Sequence, residues 1–312
     1  EGASELWDLL FSAKNIGLQT MAITDHDNIT GAMEFSQAAK ELGIKPIIGV
    51  EITLSHGLME PSGTKHRPPD QPHITLLAET AVGYRNICLL TTRAHVDAEE
   101  RKYPNLDPAL LKNHSQGIIC LSGCRQGEIS RLVDNGDLKS ARHAASKYLN
   151  IFGKEHFFME LQQNLVIGDL QRNQNMAKLA NDLGAEIVAT NNVHYHIRDR
   201  HRLNDSLVAI KHNKSLEASH RERRPNDQFF LKSAEEMNAL FDALPEAITN
   251  TMKIADRCEF DITSNSIYDF PAYESLPSEH TESSYLRKIC EEAAVRRYGS
   301  LKANVVTRLD QE

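Results

Sequence analysis

The sequence predicts an α/β protein whose strands run parallel and are joined by helical crossovers. Through the first two-thirds of the chain, short apolar runs alternate with stretches of helical spacing. Residues able to do chemistry recur at the ends of those runs. The length of 312 residues fits two domains or one large α/β barrel, taking about 150 residues per domain.

The elements follow in order. Residues 4–16 place Leu6, Leu9, Leu10, Ala13 and Ile16 at helical spacing, and Gly17 stops the helix. A strand is expected near 19–24 (QTMAIT). A helix over 29–42 is ended by Gly43. PIIGVEIT (46–53) reads as a buried strand, and further strands are expected at 73–78, 117–121, 157–161 and 186–190. Helical patterns fall between them, notably 137–151 and 169–183. Residues 56–72 carry four Pro and two Gly, which predicts an exposed loop. After residue 197 the rhythm changes: 198–211 and 233–257 read as helices, 261–281 as a polar connector, and 282–298 as a charged amphipathic helix. A domain boundary is expected near 260–280.

Composition narrows the class. Hydrophobic residues make up 40% and charged residues 25% of the chain. These ordinary values exclude a disordered, collagenous or coiled-coil protein. No apolar run reaches the roughly 18 residues of a membrane span, so no membrane partner is expected. Lys and Arg number 35 against 43 Asp and Glu, a net charge of −8. That balance argues against a nucleic-acid-binding surface over the whole protein while leaving room for a local basic patch. Five cysteines, an odd number without a CxxC pair, form no disulfide framework. No secretory leader opens the sequence, so the expected compartment is the cytoplasm. The absence of an initiator Met suggests a fragment or a processed chain.

The residues with chemical potential sit at the ends of the expected strands. Asp25, His26 and Asp27 follow the first. Glu51 lies within the second, and His73 opens the third. Cys124 follows the fourth in LSGC, and Asn192 and His194 follow the last. Loops after parallel barrel strands converge on one face, where such residues suit a borderline cation such as zinc or manganese. Each also has a plainer reading. Asp25 or Asp27 can cap the next helix, His73 can be a satisfied structural residue, and Cys124 can be a small core residue. Glu51 is harder to dismiss, because an unpaired carboxylate in an apolar strand is costly.

These residues carry a resemblance. TDHDNITGA (24–32), GVEITL (49–54), HITLLAET with GYRNICLL (73–90), LSGCRQGEI (121–129) and ATNNVHY (189–195) resemble the polymerase-and-histidinol-phosphatase (PHP) domain. The version they resemble stands at the N-terminus of the bacterial DNA polymerase III alpha-subunit family. The stretch 201–237 is similar to the error-prone branch of that family, and 244–262 and 284–299 continue the likeness toward the polymerase proper.

The resemblance implies a PHP-type distorted β/α (TIM-like) barrel over 1–197, lacking its first strand. It implies a helical extension over 198–270 packed on the barrel, and a connector with the start of the polymerase core over 271–312. It also implies a metal set of Glu1, His26 with Asp25 beside it, Glu51, His73, Cys124, Asn192 and His194. The cation would be zinc, manganese or magnesium. Two departures stand out: the family's upstream His-x-His lies outside this sequence, and Asn192 replaces an Asp. Both weaken cation binding, which depends on anionic ligands as well as imidazoles.

The parent implied is an error-prone, DNA-directed DNA polymerase acting in translesion synthesis. Its partners would be DNA, deoxynucleotides and replication or repair accessory proteins. Its catalytic carboxylates would lie outside residues 1–312, so the fragment alone is expected to be inactive. Arg221, Arg223 and Arg224 form a basic cluster that could contact a phosphate backbone, or simply a solvated linker. The rival readings are a free-standing PHP phosphoesterase and a purely structural PHP module.

Overall fold

The computed structural model describes residues 2–60, 71–100, 102–264 and 273–312. These form two compact units, Glu1–Asn265 and Ser266–Glu312. The first unit takes in both the sheet and the helices between residues 201 and 257.

Its chain runs α1 (Leu6–Asn15), β1 (Thr20–Ile23), α2 (Ala32–Glu41), β2 (Lys45–Thr53), β3 (His73–Ala78), α3 (Ala81–Val96) and β4 (Ile118–Leu121). It continues through α4 (Glu128–Asp134), α5 (Leu138–Phe152), β5 (Phe157–Gln162), α6 (Asp169–Leu183), β6 (Glu186–Thr190), α7 (His201–Lys211), α8 (Ala234–Leu240) and α9 (Pro245–Arg257). The six strands form one mixed sheet in chain order, β1 to β6, curled into a half-barrel. Among the described residues, the outer edge of β1 has no strand partner.

The expectation of an all-parallel sheet is corrected at β3. This strand is antiparallel to both β2 and β4, whereas β1–β2, β4–β5 and β5–β6 are parallel. A parallel connection needs a crossover of a dozen or more residues, usually helical. Among the described residues no helix lies between β2 and β3. The reversal matters for the site: it brings the first residue of β3, His73, to the end of the sheet where its neighbours finish.

Period-2 alternation divides the sheet into two faces. Val50, Ile52, Leu54, Ile74, Leu76, Ile118, Phe157, Met159 and Leu161 face outward into the main core, packed under α3 to α6. Ile47, Leu77, Ile119, Leu121, Phe158 and Val188 face inward, where Ile254, Ala255 and Cys258 of α9 and its C-terminal end cover them. Burying each such aliphatic side chain contributes roughly 1.5–3 kcal/mol, so both layers hold the strands firmly. A smaller cluster, including Leu10, Phe35 and Ala39, seats α1 and α2.

Two further expectations are revised. The helix expected over 233–257 is two helices: Pro245 lacks an N–H and opens α9 at its first turn, while α8 ends at Leu240. Ser233 and Glu236 form a capping box at the start of α8. The loop expected to be exposed over 56–72 is buried at its described ends, His56, Gly57, Gln71 and Pro72. The Glu128 carboxylate fixes one of those ends by accepting from the N–H groups of Leu58 and Met59, at 2.8 Å each. Residues 61–70 lie outside the described residues.

The second unit contains α10 (Glu282–Tyr298) and α11 (Ala303–Gln311). Thr281 caps α10, and Arg287 links the two helices by pairing with Glu291 and Asp310.

Candidate metal centre

The site begins with the loop after β1. Asp27 N–H donates to Glu51 O at 2.9 Å, and Glu51 N–H donates to Asp25 O at 3.1 Å. The β1–β2 ladder thus extends by one bridge and sets His26 beside Glu51. Neither Asp25 nor Asp27 caps α2, whose N-cap is Gly31 without a side-chain bond. Asp27 does different work. It sits at φ 52°, in the left-handed region that Asp tolerates better than most residues. Its carboxylate accepts from the N–H and hydroxyl of Thr53, both at 2.7 Å. Its Oδ2 also lies 3.3 Å from His26 Nδ1, which leaves His26 Nε2 facing Glu51 Oε2 at 3.8 Å. A carboxylate on one ring nitrogen and a ligand position at the other is the common arrangement of metal-binding histidines. His95 Nε2 meets Asp27 O at 2.7 Å behind the loop.

His73 enters from the reversed strand. Glu51 pairs with Thr75 and Thr53 with His73, so Glu51 and His73 are diagonal neighbours on the inner face. His73 Nδ1 lies 3.5 Å from Glu51 Oε1, and its ring meets that of His26 edge-on at 4.4 Å between centroids. This Nδ1 is buried and makes no hydrogen bond of normal geometry. Burial alone would raise the Glu51 pKa. The His73 and His26 imidazoles, with a hydrogen bond from Cys124, outweigh it and hold the carboxyl at about 2.

Cys124 reaches the group through that bond. Gly123, at φ 89°, lets the turn pass under β3: a Cβ there would fall 2.0 Å from His73 O. Burial, and next the Glu51 carboxylate, push the Cys124 thiol well above the ordinary thiol range.

His26, Glu51 and His73 each offer a ligand atom, and these atoms lie within 4.8 Å of one another. The orphaned His73 nitrogen and a donor set of two imidazoles and a carboxylate, with a thiol alongside, fit a borderline divalent cation. The other expected residues are placed differently. Asn192, at φ 48°, accepts from His194 Nε2 at 3.1 Å, and His194 Nδ1 faces an Arg224 N–H at 3.4 Å. Together they form a neighbouring group against Phe229 rather than part of the three-residue cluster. Glu1 lies outside the described residues.

The arginines do not form one exposed patch. Arg223 pairs with Asp205 at 2.7 Å, Arg224 turns toward His194, and only Arg221 of the three is fully exposed. The residues missed by the sequence reading are Asp27 as the orienting carboxylate and Glu160, buried in β5. Glu160 carried the same signal as Glu51, a carboxylate inside an apolar run.

Comparison with known proteins adds three findings. Residues 1–164 match the PHP domain model. The whole chain is 34% identical to an error-prone DNA polymerase from Symbiobacterium thermophilum, covering 29% of that protein. It is 32% identical, again over its whole length, to the DNA polymerase III subunit alpha of Treponema pallidum, covering 26% of it. The chain therefore spans less than a third of these curated relatives. An amidohydrolase from Chromobacterium violaceum aligns with 62% of this chain and 84% of its own, at 13% identity and a TM-score of 0.44.

Proposed function

The chain belongs to the PHP domain family, and from that premise we propose that it is the amino-terminal part of a DNA-directed DNA polymerase of the alpha-subunit class. The observation that carries this reading is the extent of the match: polymerase relatives align with all of the chain, including residues 165–312 beyond the PHP model. The likeness of 201–237 favours the error-prone branch and, with it, damage-tolerant synthesis. DNA and deoxynucleotides would be handled by a polymerase core outside these residues, together with replication or repair accessory proteins. Asp25 and Asp27 are not polymerase carboxylates, since Asp27 is committed to Thr53 and His26. Among the described residues no helix is long and apolar enough to cross a membrane, in keeping with work on DNA in the cytoplasm.

Within this part, His26, Glu51 and His73 would hold a divalent cation, with Cys124 at its margin; Glu1, Asn192 and His194 are further proposed members. The imidazoles and thiol favour zinc or manganese over magnesium, which prefers oxygen ligands. Such a cation supplies a water of lowered pKa and charge for phosphate oxygens. The chain's own share is to keep Glu51 anionic, hold the His26 ring through Asp27 and seat His73 by the β2–β3 register.

The reading frame around this chain tests the polymerase assignment. A frame continuing past Glu312 into palm, fingers and thumb, whose product extends a primer, is expected; a stop codon there overturns it. The His26–Glu51–His73 cluster also supports a second reading, a phosphoesterase. Appreciable manganese- or zinc-dependent hydrolysis of a phosphate ester by residues 1–312 would favour it. Weak or no hydrolysis by residues 1–312 is expected, since the family's His-x-His lies outside them and Asn192 offers a neutral amide in place of a carboxylate.

A further inference from the structure

We propose that Glu160 is a positioning residue for the metal centre, a buried carboxylate that fixes the strand ends carrying His73, Cys124 and Asn192 relative to one another. This rests on the reading of that centre as a cation site.

Glu160 stands in the middle of β5, 5% exposed, on the inner face between Phe158 and Gln162. Its Oε1 accepts from Thr190 Oγ1 at 2.5 Å and from Gln162 Nε2 at 2.9 Å. Its Oε2 lies 3.5 Å from Thr75 Oγ1. The Glu160 N–H donates to Ser122 Oγ at 2.9 Å. Apart from Gln162, each of these partners is close in sequence to a proposed ligand. Thr75 stands two residues after His73 on the same face of β3. Ser122 and Gly123 directly precede Cys124. Thr190 stands two residues before Asn192. Thr75 is also the register partner of Glu51. One residue on β5 therefore gathers polar groups from β3, the turn after β4 and the end of β6.

Packing alone gives no reason for a carboxylate here. Its neighbours Phe158 and Val188 are apolar, and burying a carboxylate costs far more than burying leucine. What Glu160 provides is two acceptor oxygens for the hydroxyls of Thr75 and Thr190 and a backbone N–H for Ser122. Glutamine has the same shape but lacks the negative charge that strengthens the bonds from Thr190, Gln162 and Thr75. The expected consequence is a loosened ligand frame in a folded protein. Losing an outer partner of a metal site commonly weakens binding 10–100-fold.

The test is titration of the 312-residue chain with Co²⁺, which reports coordination through its visible spectrum, alongside circular dichroism. Glu160→Gln is expected to remain folded, bind Co²⁺ about 10–100-fold more weakly and show a changed spectrum. Thr190→Val, which removes one donor, should move both readouts the same way by less. Wild-type affinity and spectrum in both variants would overturn the positioning role alone. So would an unfolded Glu160→Gln beside an unchanged Thr190→Val. A wild-type chain that takes up no Co²⁺ would overturn the cation site itself, and this proposal with it.

Discussion

At one end of the sheet's inner face, Ile47, Leu77, Ile119, Phe158 and Val188 lie beneath Ile254, Ala255 and Cys258. At the other end, the same strands present Glu51, His73, Thr75, Glu160 and Thr190. The alternation is continuous: Phe158 and Glu160 are successive inward residues of β5, as Leu77 and Thr75 are of β3. The two ends differ only in what the inward positions carry. The apolar end is stabilised without directionality, by removing surface from water. The polar end has the opposite balance, since each buried donor or acceptor costs free energy until it is paired. The comparison teaches a division of labour: the end covered by α9 supplies stability, and the end left polar uses it to hold charged groups close together.

That division can be broken by mutation. The largest effect is expected at the apolar end, where Phe158→Ala removes a fully buried ring and should cost about 3–5 kcal/mol. Urea denaturation would measure it. Glu51→Gln should abolish high-affinity cation uptake, read by metal analysis after dialysis, whereas the folded fraction of Phe158→Ala should keep it. Equal loss of uptake by the two changes would erase the distinction. Next comes Gly123→Ala, which forces a Cβ against His73 O at a positive φ. It should cost about 1–3 kcal/mol and weaken cation binding as well, because the turn carries Cys124 and passes against His73.

Acid offers a gentler probe. The Glu51 carboxyl is held at about 2 against an ordinary 4.5, so the folded chain binds its proton less readily than the unfolded chain does. Its contribution to stability is complete above about pH 4.5 and is lost as the pH falls toward 2. In a chelator-treated chain, Glu51→Gln should remove that portion of the acid sensitivity, measured as melting temperature against pH. The smallest effect is expected from Asn192→Asp, which places an anionic oxygen on His194 Nε2. Manganese affinity, read by calorimetry, should rise by a few-fold at most; a decrease would separate Asn192 and His194 from the centre altogether.

Much of this arrangement was legible beforehand, and the exceptions share a cause. All six strands were visible as apolar runs, because burial on both faces leaves a dense signature in sequence. The direction of β3 was not, since HITLLA reads the same way up or down. Among the described residues, no crossover helix precedes it, in keeping with the reversal. For Asp27 the sequence leaves a helix cap open as one reading, because capping and strand anchoring draw on the same acceptor chemistry. Its true donors belong to Thr53, on the neighbouring strand. Asn192 and His194 were legible as polar residues after a strand, but their neighbour Arg224 comes 30 residues later, beyond the reach of local pattern. His26, Glu51 and His73 lie together because each is placed by backbone pairing of adjacent strands.

The contact between Cys124 and Glu51 also bears on reagents that attack sulfur. Thiolate is the form that reacts with alkylating agents and peroxide. Burial and the neighbouring carboxylate keep Cys124 as a neutral thiol at physiological pH. In a cation-free chain this sulfur should therefore modify slowly, even beside a polar cluster. With Glu51 holding a cation, the carboxylate's charge would be offset and the thiolate favoured, so the rate of thiol labelling would become a chemical gauge of how full the centre is.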